Sequence, residues 1–294
     1  MGTVVSIMET FELKYFLAVA RNENIHRASE QLRISPGSLS KAVARLESEL
    51  GVRLFHREKK TLRITAQGRV LQKQAAQIVQ LEEAARVAVA GTKGSLNAVF
   101  AGSEVLLLQF AMPLVDGVQK RHPGSTFEFQ IADEQSAVER IVQGDAHLAI
   151  TTQNVPTGLD SKLLAQASFQ TCVGEGHPLY ARAKSAKAIP VEDVLLHPFV
   201  SPSHPLLGTV GAKQSLDGWR DDKFPRKVKY FASSIKLIES LVESGRAVAY
   251  LPDYLVKHLK AVPLKITGCP YSCTQKIQLV ARGAKDMGWL ARLF

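Results

Sequence analysis

The stretch SPGSLSKAVARLESELG, residues 35–51, decides the fold of the N-terminal region. Ser35 is a favoured N-cap residue, and Pro36 stands at the first helical position, where proline is well tolerated. Four apolar side chains then recur at helical spacing and predict one buried stripe: Leu39, Val43, Leu46 and Leu50. Gly51 predicts the end of this helix. The residues left on its open face are small, polar or basic: Ser38, Ser40, Lys41, Ala44, Arg45 and Ser48.

Two shorter helices are predicted before this one. The first begins at Thr10, a plausible N-cap, and has apolar residues at helical spacing: Leu13, Phe16, Leu17 and Ala20. The second begins near His26 and would bury Ile25, Ala28 and Leu32. A short connection, Arg33-Ile34, then leads to Ser35. The pattern predicts helix, turn, helix, with the third helix offering a polar and basic face.

The residues after the third helix predict a hairpin and a long helix. Residues 53–65 read as a short hairpin with a basic tip, which would form a wing. A helix from Ala66 to about Ala90 carries a seam at alternating three- and four-residue steps: Leu71, Gln74, Ile78, Leu81, Ala85 and Ala88. Because such a seam is typical of paired helices, this segment predicts a partner helix.

Beyond Gly94 the pattern changes to alternating strands and helices. The first set has strands over 97–101, 126–131 and 148–151, with helices to about Arg121 and over 135–143. A second set has strands near 169–173, 199–201, 229–231 and 248–251, with a helix over 235–244. Alternation of this kind predicts parallel sheets in two α/β lobes.

Charge and composition narrow the classes of function. The 294 residues carry a formal net charge of +10, and six of these ten excess positive charges precede residue 96. A polyanionic partner at the N-terminal end is therefore expected. Residues 1–10 lack the features of a secretory signal, which favours the cytoplasm and no membrane partner. The three cysteines, Cys172, Cys269 and Cys273, are expected to be reduced thiols, although a redox role for the last two stays open.

The chain resembles the LysR family of transcriptional regulators. The N-terminal residues that carry the resemblance are Phe16 to Ala20, Ala28, Leu32, Ser35, Leu39-Ser40-Lys41, Leu46-Glu47, Leu50-Gly51, Leu54-Phe55, Arg57, Thr65 and Gly68. Looser matches follow at Pro113, His122-Pro123, Gly144, Gly176 to Leu179, and Gly245 to Pro252. The resemblance implies a multidomain protein with three parts: a winged helix-turn-helix domain (8–65), a linker and dimerisation helix (66–93), and a two-lobed α/β effector domain like that of periplasmic binding proteins (94–294). Lobe I would comprise about 94–165 and 268–294, and lobe II about 166–267.

The resemblance also assigns candidate site residues. Predicted DNA contacts lie on the third helix and the wing: Ser35, Pro36, Ser38, Ser40, Lys41, Arg45, Arg57, Lys59 and Lys60. Predicted effector contacts lie at strand ends, where small molecules bind in α/β folds: Ser103, Glu104, Thr152, Ser201, Ser203, Ser233 and Ser234. Glu104 departs from the family, which commonly offers serine or threonine in this segment.

These observations predict a DNA-binding transcriptional regulator that responds to a small-molecule effector. Its expected partners are a double-stranded DNA operator, the effector and further copies of itself, as a homodimer or homotetramer, with RNA polymerase as an additional candidate. No catalytic residues, metal or cofactor are expected, because the sequence has no nucleophile elbow and no metal-ligand cluster. Two alternatives are an enzyme and a solute-binding protein of a transport system, which would need an export signal.

Overall fold

The computed structural model describes residues 8–58, 61–90, 95–208, 211, 213–284 and 288–294. Three helices open the chain: α1 (Thr10–Asn22), α2 (Ile25–Leu32) and α3 (Pro36–Leu50). The Asn24 side chain caps α2 by accepting the Arg27 amide at 3.1 Å, and Ser35 caps α3 by accepting the Ser38 amide at 3.1 Å. The predicted helix-turn-helix is therefore present, and α1 begins after Glu9 rather than after the expected cap Thr10.

One apolar core holds these helices together. Phe16 of α1 is fully buried, and it packs in the same cluster as Leu39 and Leu46 of α3. Three of the four residues predicted to be buried on α3 are buried, but Leu50 is 41% exposed. The polar and basic face of α3 consequently lies opposite the core, on the surface of the domain.

The wing follows α3 and is fixed to it by one buried carboxylate. Strands β1 (Phe55–Glu58) and β2 (Thr61–Ile64) pair antiparallel. Glu47 of α3 accepts the amide hydrogens of Leu54 at 2.7 Å and Phe55 at 3.2 Å. Because a buried amide needs a hydrogen-bond partner, Glu47 ties the start of the hairpin to α3.

A single long helix, α4 (Ala66–Ala90), leaves the wing. Its buried residues point toward the rest of the chain: Gly68, Gln72, Ala75, Ala76, Gln80, Ala84 and Val87. The predicted seam lies on a different face, where Ile78 is 40% and Leu81 is 46% exposed. None of the described helices is both long and apolar enough to cross a membrane.

Lobe I contains three parallel strands covered by helices. Its elements are β3 (Asn97–Gly102), α5 (Glu104–Leu106), α6 (Met112–Arg121), β4 (Thr126–Ile131), α7 (Glu134–Gln143) and β5 (Leu148–Thr151). A π-helical segment, Leu107–Ala111, joins α5 to α6. Strand β3 pairs in parallel with β4 on one side and β5 on the other.

A long strand, β6 (Asp160–Gly174), connects the lobes. Its first part pairs antiparallel with β13 (Thr274–Ala281), which also pairs antiparallel with β5, and its second part pairs antiparallel with β10 (Ala249–Pro252). The sheet is therefore mixed, and the predicted parallel pairing holds in it only for β3, β4 and β5. The sequence predicted only 169–173 as strand, because the first part of β6 is mostly polar or exposed. The sheet order is β10-β6-β13-β5-β3-β4, so one sheet runs through both lobes.

The remaining elements build lobe II and the C-terminus. They are α8 (Tyr180–Lys184), β7 (Ile189–Pro190), α9 (Val191–Leu195), β8 (Phe199–Pro202), β9 (Val228–Ala232), α10 (Ile235–Glu243), α11 (Asp253–Val256), β11 (Ala261–Pro263), β12 (Ile266–Thr267) and α12 (Gly288–Ala291). Strands β8 and β9 pair in parallel, as β3 and β5 do in lobe I. The architecture is the predicted one: a winged helix-turn-helix, a linker helix and a two-lobed α/β domain.

Candidate DNA-binding and effector-binding sites

The first turns of α3 present a polar surface. Ser35, Ser38 and Lys41 are exposed, and Pro36 and Ser40 are half-buried. The Ser35 and Ser38 hydroxyls lie 2.8 Å apart, so the cap and the first turn share one hydrogen-bond network. Residues three apart on a helix face the same way, which places Ser38 and Lys41 side by side. This surface offers hydroxyl and ammonium groups that can donate to base edges or phosphates.

Arg45 is on the same helix, but its side chain forms an ion pair within the protein. Its Nε donates to Glu12 Oε1 at 2.5 Å, and Glu12 also accepts the amide of Glu9 at 3.1 Å. The hydrogen bond from Arg45 holds the pKa of the buried Glu12 carboxyl below its usual value. Arg45 thus joins α3 to the start of α1. Its role as a DNA contact stays a prediction.

The predicted wing contacts are only partly described. Lys59 and Lys60 lie outside the described residues. Arg57 lies in β1, opposite Leu62 of β2, and only its backbone is described. The hairpin thus has the expected position directly after the recognition helix, while the basic tip stays a prediction from the sequence.

Lobe I brings three predicted effector residues to one edge of its sheet. Ser103 and Glu104 follow β3, and Thr152 follows the adjacent parallel strand β5. Ser103 caps α5 by accepting the Leu106 amide at 3.4 Å, and Glu104 is exposed. Thr152 donates from its amide and its hydroxyl to the carboxylate of Glu134, at 2.6 and 2.9 Å.

Lobe II supplies a similar edge. Ser203 follows β8, and its amide donates to the Ala232 carbonyl at the end of β9, at 2.9 Å. Ser233 and Ser234 follow β9, and Ser234 caps α10 by accepting the Lys236 amide at 3.2 Å. Ser201 differs from its expected position, because it lies inside β8 and is buried.

The loop that follows the lobe II edge reaches the lobe I edge. A Cβ on Gly208, in the loop after Ser203, would lie 2.7 Å from Thr152 Oγ1 of lobe I. Gln275 Nε2 of β13 donates to the Leu207 carbonyl of the same loop at 2.8 Å. The loop that follows β8 therefore lies directly against the lobe I residue Thr152.

Two further cleft residues were missed by the sequence reasoning. Glu134 is buried at the start of α7, where it holds Thr152. Tyr254 of α11 packs edge-on against Phe110 of lobe I, with ring centroids 5.2 Å apart. Its buried hydroxyl has no hydrogen-bond partner among the described residues, and burial, followed by the charges of Glu134 and Asp253, raises its pKa. The strand-end rule could have found Tyr254, which lies two positions after the end of β10.

A buried ion pair stabilises the long segment between β8 and β9. Arg226 donates to both carboxylate oxygens of Asp217, at 2.7 and 2.8 Å, and to Asp221 at 3.0 Å. The Arg226 and Asp217 side chains are almost fully buried, and the guanidinium lies over the rings of Phe199 and Trp219. Nothing in the local sequence pattern predicted this cluster.

The cysteines and other ligand-type residues show no arrangement for redox or metal chemistry among the described residues. All three thiols are free, and burial raises the pKa of Cys172 to about 12 and that of Cys273 to about 11. A protonated thiol is a poor nucleophile, which favours an ordinary packing role. Within the described ranges, no group of three or more His, Cys, Asp or Glu side chains could hold a metal ion.

Comparison with known proteins identifies both parts of the chain. Residues 11–69 match the bacterial regulatory helix-turn-helix protein, lysR family, and residues 96–294 match the LysR substrate binding domain. The HTH-type transcriptional regulator HdfR of Shigella boydii is 35% identical over 150 residues, which are 50% of this chain and 53% of HdfR. The chain thus spans about half the length of the curated relatives it matches.

Solved structures share the fold over nearly the whole chain. A full-length OxyR variant of Pseudomonas aeruginosa has a TM-score of 0.68 at 20% identity, covering 98% of this chain and 92% of OxyR. Full-length LysG of Corynebacterium glutamicum, solved with bound effector Arg, has a TM-score of 0.62 at 19% identity, covering 97% and 96%. At these identities the likeness shows the fold alone. Together with the two family matches, the helix-turn-helix and the two-lobed domain establish that this chain belongs to the LysR family of DNA-binding transcriptional regulators.

Proposed function

We propose that this regulator binds a small, polar organic effector in the cleft between lobes I and II, and that the effector alters operator binding or transcription. The observation that carries the proposal is the close contact between Gly208, in the loop that follows β8 of lobe II, and Thr152, at the strand end of β5 in lobe I. We assign residues 8–65 to the DNA-binding domain, 66–93 to the linker and 94–294 to the effector domain. Since its target is operator DNA, the protein acts in the cytoplasm, where RNA polymerase is a further candidate partner.

The DNA contacts divide into two classes. Ser38 and Lys41, early on α3, are proposed to read base edges in the major groove. Arg57, Lys59 and Lys60, around the wing, are proposed to hold phosphates or the adjacent groove. The first class depends on the exposed polar face of α3, and the second on the basic composition of the hairpin.

Lys41→Ala is expected to reduce the preference for the operator over scrambled DNA by about 1–3 kcal/mol, because one base contact is lost. Lys60→Ala serves as the contrast: it should weaken binding to both duplexes and lower the salt slope by about one counterion. Fluorescence anisotropy over a salt series, on an operator selected from a duplex library, measures both. Equal weakening of both duplexes by Lys41→Ala would remove its base-reading role.

The effector site is proposed to include Ser103, Glu104, Thr152, Ser201, Ser203, Ser233 and Ser234, together with Glu134 and Tyr254. Most of these side chains carry hydroxyl groups, which favours a ligand with several hydrogen-bonding groups. The Tyr254 hydroxyl supports this assignment, because a buried polar group without a partner is uncommon and an effector could supply one.

Ser103→Trp is expected to abolish the rise in melting temperature that a cleft ligand produces, because the indole would fill space at the end of β3. Operator affinity should stay largely unchanged. A thermal-shift screen of metabolites identifies the ligand, and Ser185→Trp, on the exposed end of α8, is the matched control. A ligand response that survives in Ser103→Trp would exclude this cleft as the site.

Self-association is proposed through two separate surfaces. One is the exposed seam of α4. The other comprises apolar residues on edge strands and nearby helices of both lobes: Leu108, Met112, Phe129 and Ile131 of lobe I, and Phe231 and Leu237 of lobe II. Exposed apolar patches of this kind mark interfaces. Two independent surfaces support a homotetramer built from homodimers.

The alternative functions are less well supported. A solute-binding protein of a transport system would use the two lobes but would have no need for the helix-turn-helix. An enzyme would need a catalytic constellation, and neither the motifs nor the family relatives favour one. DNA selection by gel shift separates the regulator from both alternatives.

A further inference from the structure

The C-terminal end of α7, in lobe I, contacts the DNA-binding domain of the same chain. Arg21, in the last turn of α1, forms an ion pair from its Nε to Asp145 Oδ1. Its Nη2 also donates to the Gly144 carbonyl at 2.7 Å. These contacts join residues that are more than 120 positions apart in the sequence. Arg21 thus donates hydrogen bonds to both the Asp145 carboxylate and the carbonyl of Gly144, the C-cap residue of α7.

The linker helix approaches the same end of α7. Gly144 caps α7 at φ +78°, and a Cβ on it would lie 1.9 Å from the Cβ of Ala76 in α4. Arg282 donates to the Val142 carbonyl of α7 at 2.7 Å and to the Lys73 carbonyl of α4 at 3.4 Å. The end of α7 therefore lies at a junction of α1, α4 and lobe I.

The contacts at this junction are of two kinds. Ala84 and Val87 of α4 share an apolar core with Trp289 and Leu290 of α12, which fixes the linker to lobe I. Between α1 and lobe I, by contrast, lies a groove of about 730 Å³ lined with charged and polar residues, including Lys14, Glu83, Glu128, Glu139, Arg140 and His147. Polar contacts of this kind separate more readily than apolar cores. Because α1 is packed on α4 through the apolar core that contains Ala75 and Ala76, the hydrogen bonds from Arg21 to Asp145 and Gly144 form a direct polar contact between this helix pair and lobe I.

The other end of α7 lies at the effector cleft. Glu134, its first residue, accepts both the amide and the hydroxyl of Thr152. Ala137, Val138 and Ile141 are buried along its length, so it is packed as one rigid element. Its ten residues span about 15 Å. A displacement of Thr152 would therefore move α7, and with it Gly144 and Asp145 at its other end.

We propose that the Gly144-Asp145 end of α7 is a docking site for α1 of its own chain, and that α7 couples the placement of the DNA-binding domain to the state of the cleft. This inference depends on one part of the proposed function, namely that the effector binds in the cleft between the lobes. Because coupling between two sites is reciprocal, DNA binding must change the affinity of the cleft for the effector by the same factor as the effector changes the affinity for DNA. Operator DNA can therefore serve as the probe while the effector is unidentified.

Hydrogen exchange with mass analysis tests the proposal on the full-length protein. The reporter is the peptide containing Thr152, whose amide is bound by Glu134. In the wild-type protein, saturating operator DNA is expected to change the exchange rate of this peptide about fivefold or more, which corresponds to a coupling energy of about 1 kcal/mol. In Asp145→Asn and in Arg21→Gln this response should disappear, and without DNA the amides after Gly144 should exchange faster. Asp116→Asn, an exposed carboxylate of α6 with the same change of charge, should respond like the wild type.

The charge-swapped double variant Arg21→Asp, Asp145→Arg is expected to restore part of the response, because it regains the ion pair but not the hydrogen bond to the Gly144 carbonyl, and a merely destabilised lobe would restore none. Anisotropy on each variant confirms that the DNA is bound at saturation. Failure to bind any duplex would contradict the proposed function itself. Two results with DNA bound at saturation would overturn the docking proposal alone. One is an unchanged exchange rate of the Thr152 peptide in the wild type, and the other is an equal change of this rate in wild type, Asp145→Asn and Arg21→Gln.

Discussion

Arg226→Ala is expected to lower the free energy of unfolding of the effector domain by about 3–5 kcal/mol, because it would leave Asp217 buried without its partner. Both side chains are almost fully buried, and the guanidinium donates to two carboxylates. Urea unfolding, followed by the fluorescence of the neighbouring Trp219, measures the loss. The loop after β8 that contacts Thr152 is in the same segment, so any effector response should fall as well.

Arg220→Ala is the matched control for this prediction. Arg220 lies in the same segment and forms two hydrogen bonds with Asp222, but this pair is partly exposed, with the guanidinium over the Tyr271 ring. Surface ion pairs contribute little to stability, since water solvates both charges when the pair is broken. The control should therefore lose much less free energy of unfolding than Arg226→Ala does, because Asp222 stays solvated when its partner is removed. Equal losses in both variants would show that the Arg226 cluster is not a special stabilising element.

Leu81→Lys is expected to separate the protein into smaller assemblies and to weaken operator binding about 100-fold or more, because paired DNA-binding domains gain affinity from simultaneous engagement. Leu81 is half exposed on the face of α4 that does not contact its own chain's core. A lysine can therefore be solvated in the single chain but not within a paired seam. Light scattering at micromolar concentration gives the mass, and anisotropy gives the affinity.

Leu196→Lys provides the comparison for the linker prediction. Leu196 is 79% exposed in lobe II and lies outside the α4 seam, so the same substitution there should leave both mass and affinity unchanged. Circular dichroism checks that each variant is folded. A Leu81→Lys protein with the wild-type mass would contradict the pairing of linker helices through this seam.

The sequence predicted the helix-turn-helix in detail because the signals that form it are local. Ser35 caps α3 as expected, and Gly51 ends it in the left-handed conformation. The wing and the long helix also follow from short-range patterns. The strand-end rule found Ser103, Thr152 and Ser203, since adjacent parallel strands place their carboxyl ends at one edge. The same rule placed Ser201 at a strand end, whereas it lies inside β8. Tyr254, which lies shortly after β10, was missed.

By itself, the sequence determined the family, the order of the elements up to β5 and the faces on which apolar residues recur, because periodicity and caps depend on neighbours a few positions away. It did not predict the central strand β13 or the short elements of lobe II such as α8, α9 and β11. Only the tertiary structure decided which distant groups meet: Arg45 with Glu12, Arg226 with Asp217, Glu134 with Thr152, and Arg21 with Asp145. It also decided that α4 buries its alanine-rich face and leaves Ile78 and Leu81 exposed. The physical reason is that a charge or an apolar stripe is defined locally, whereas its partner is set by the path of the whole chain.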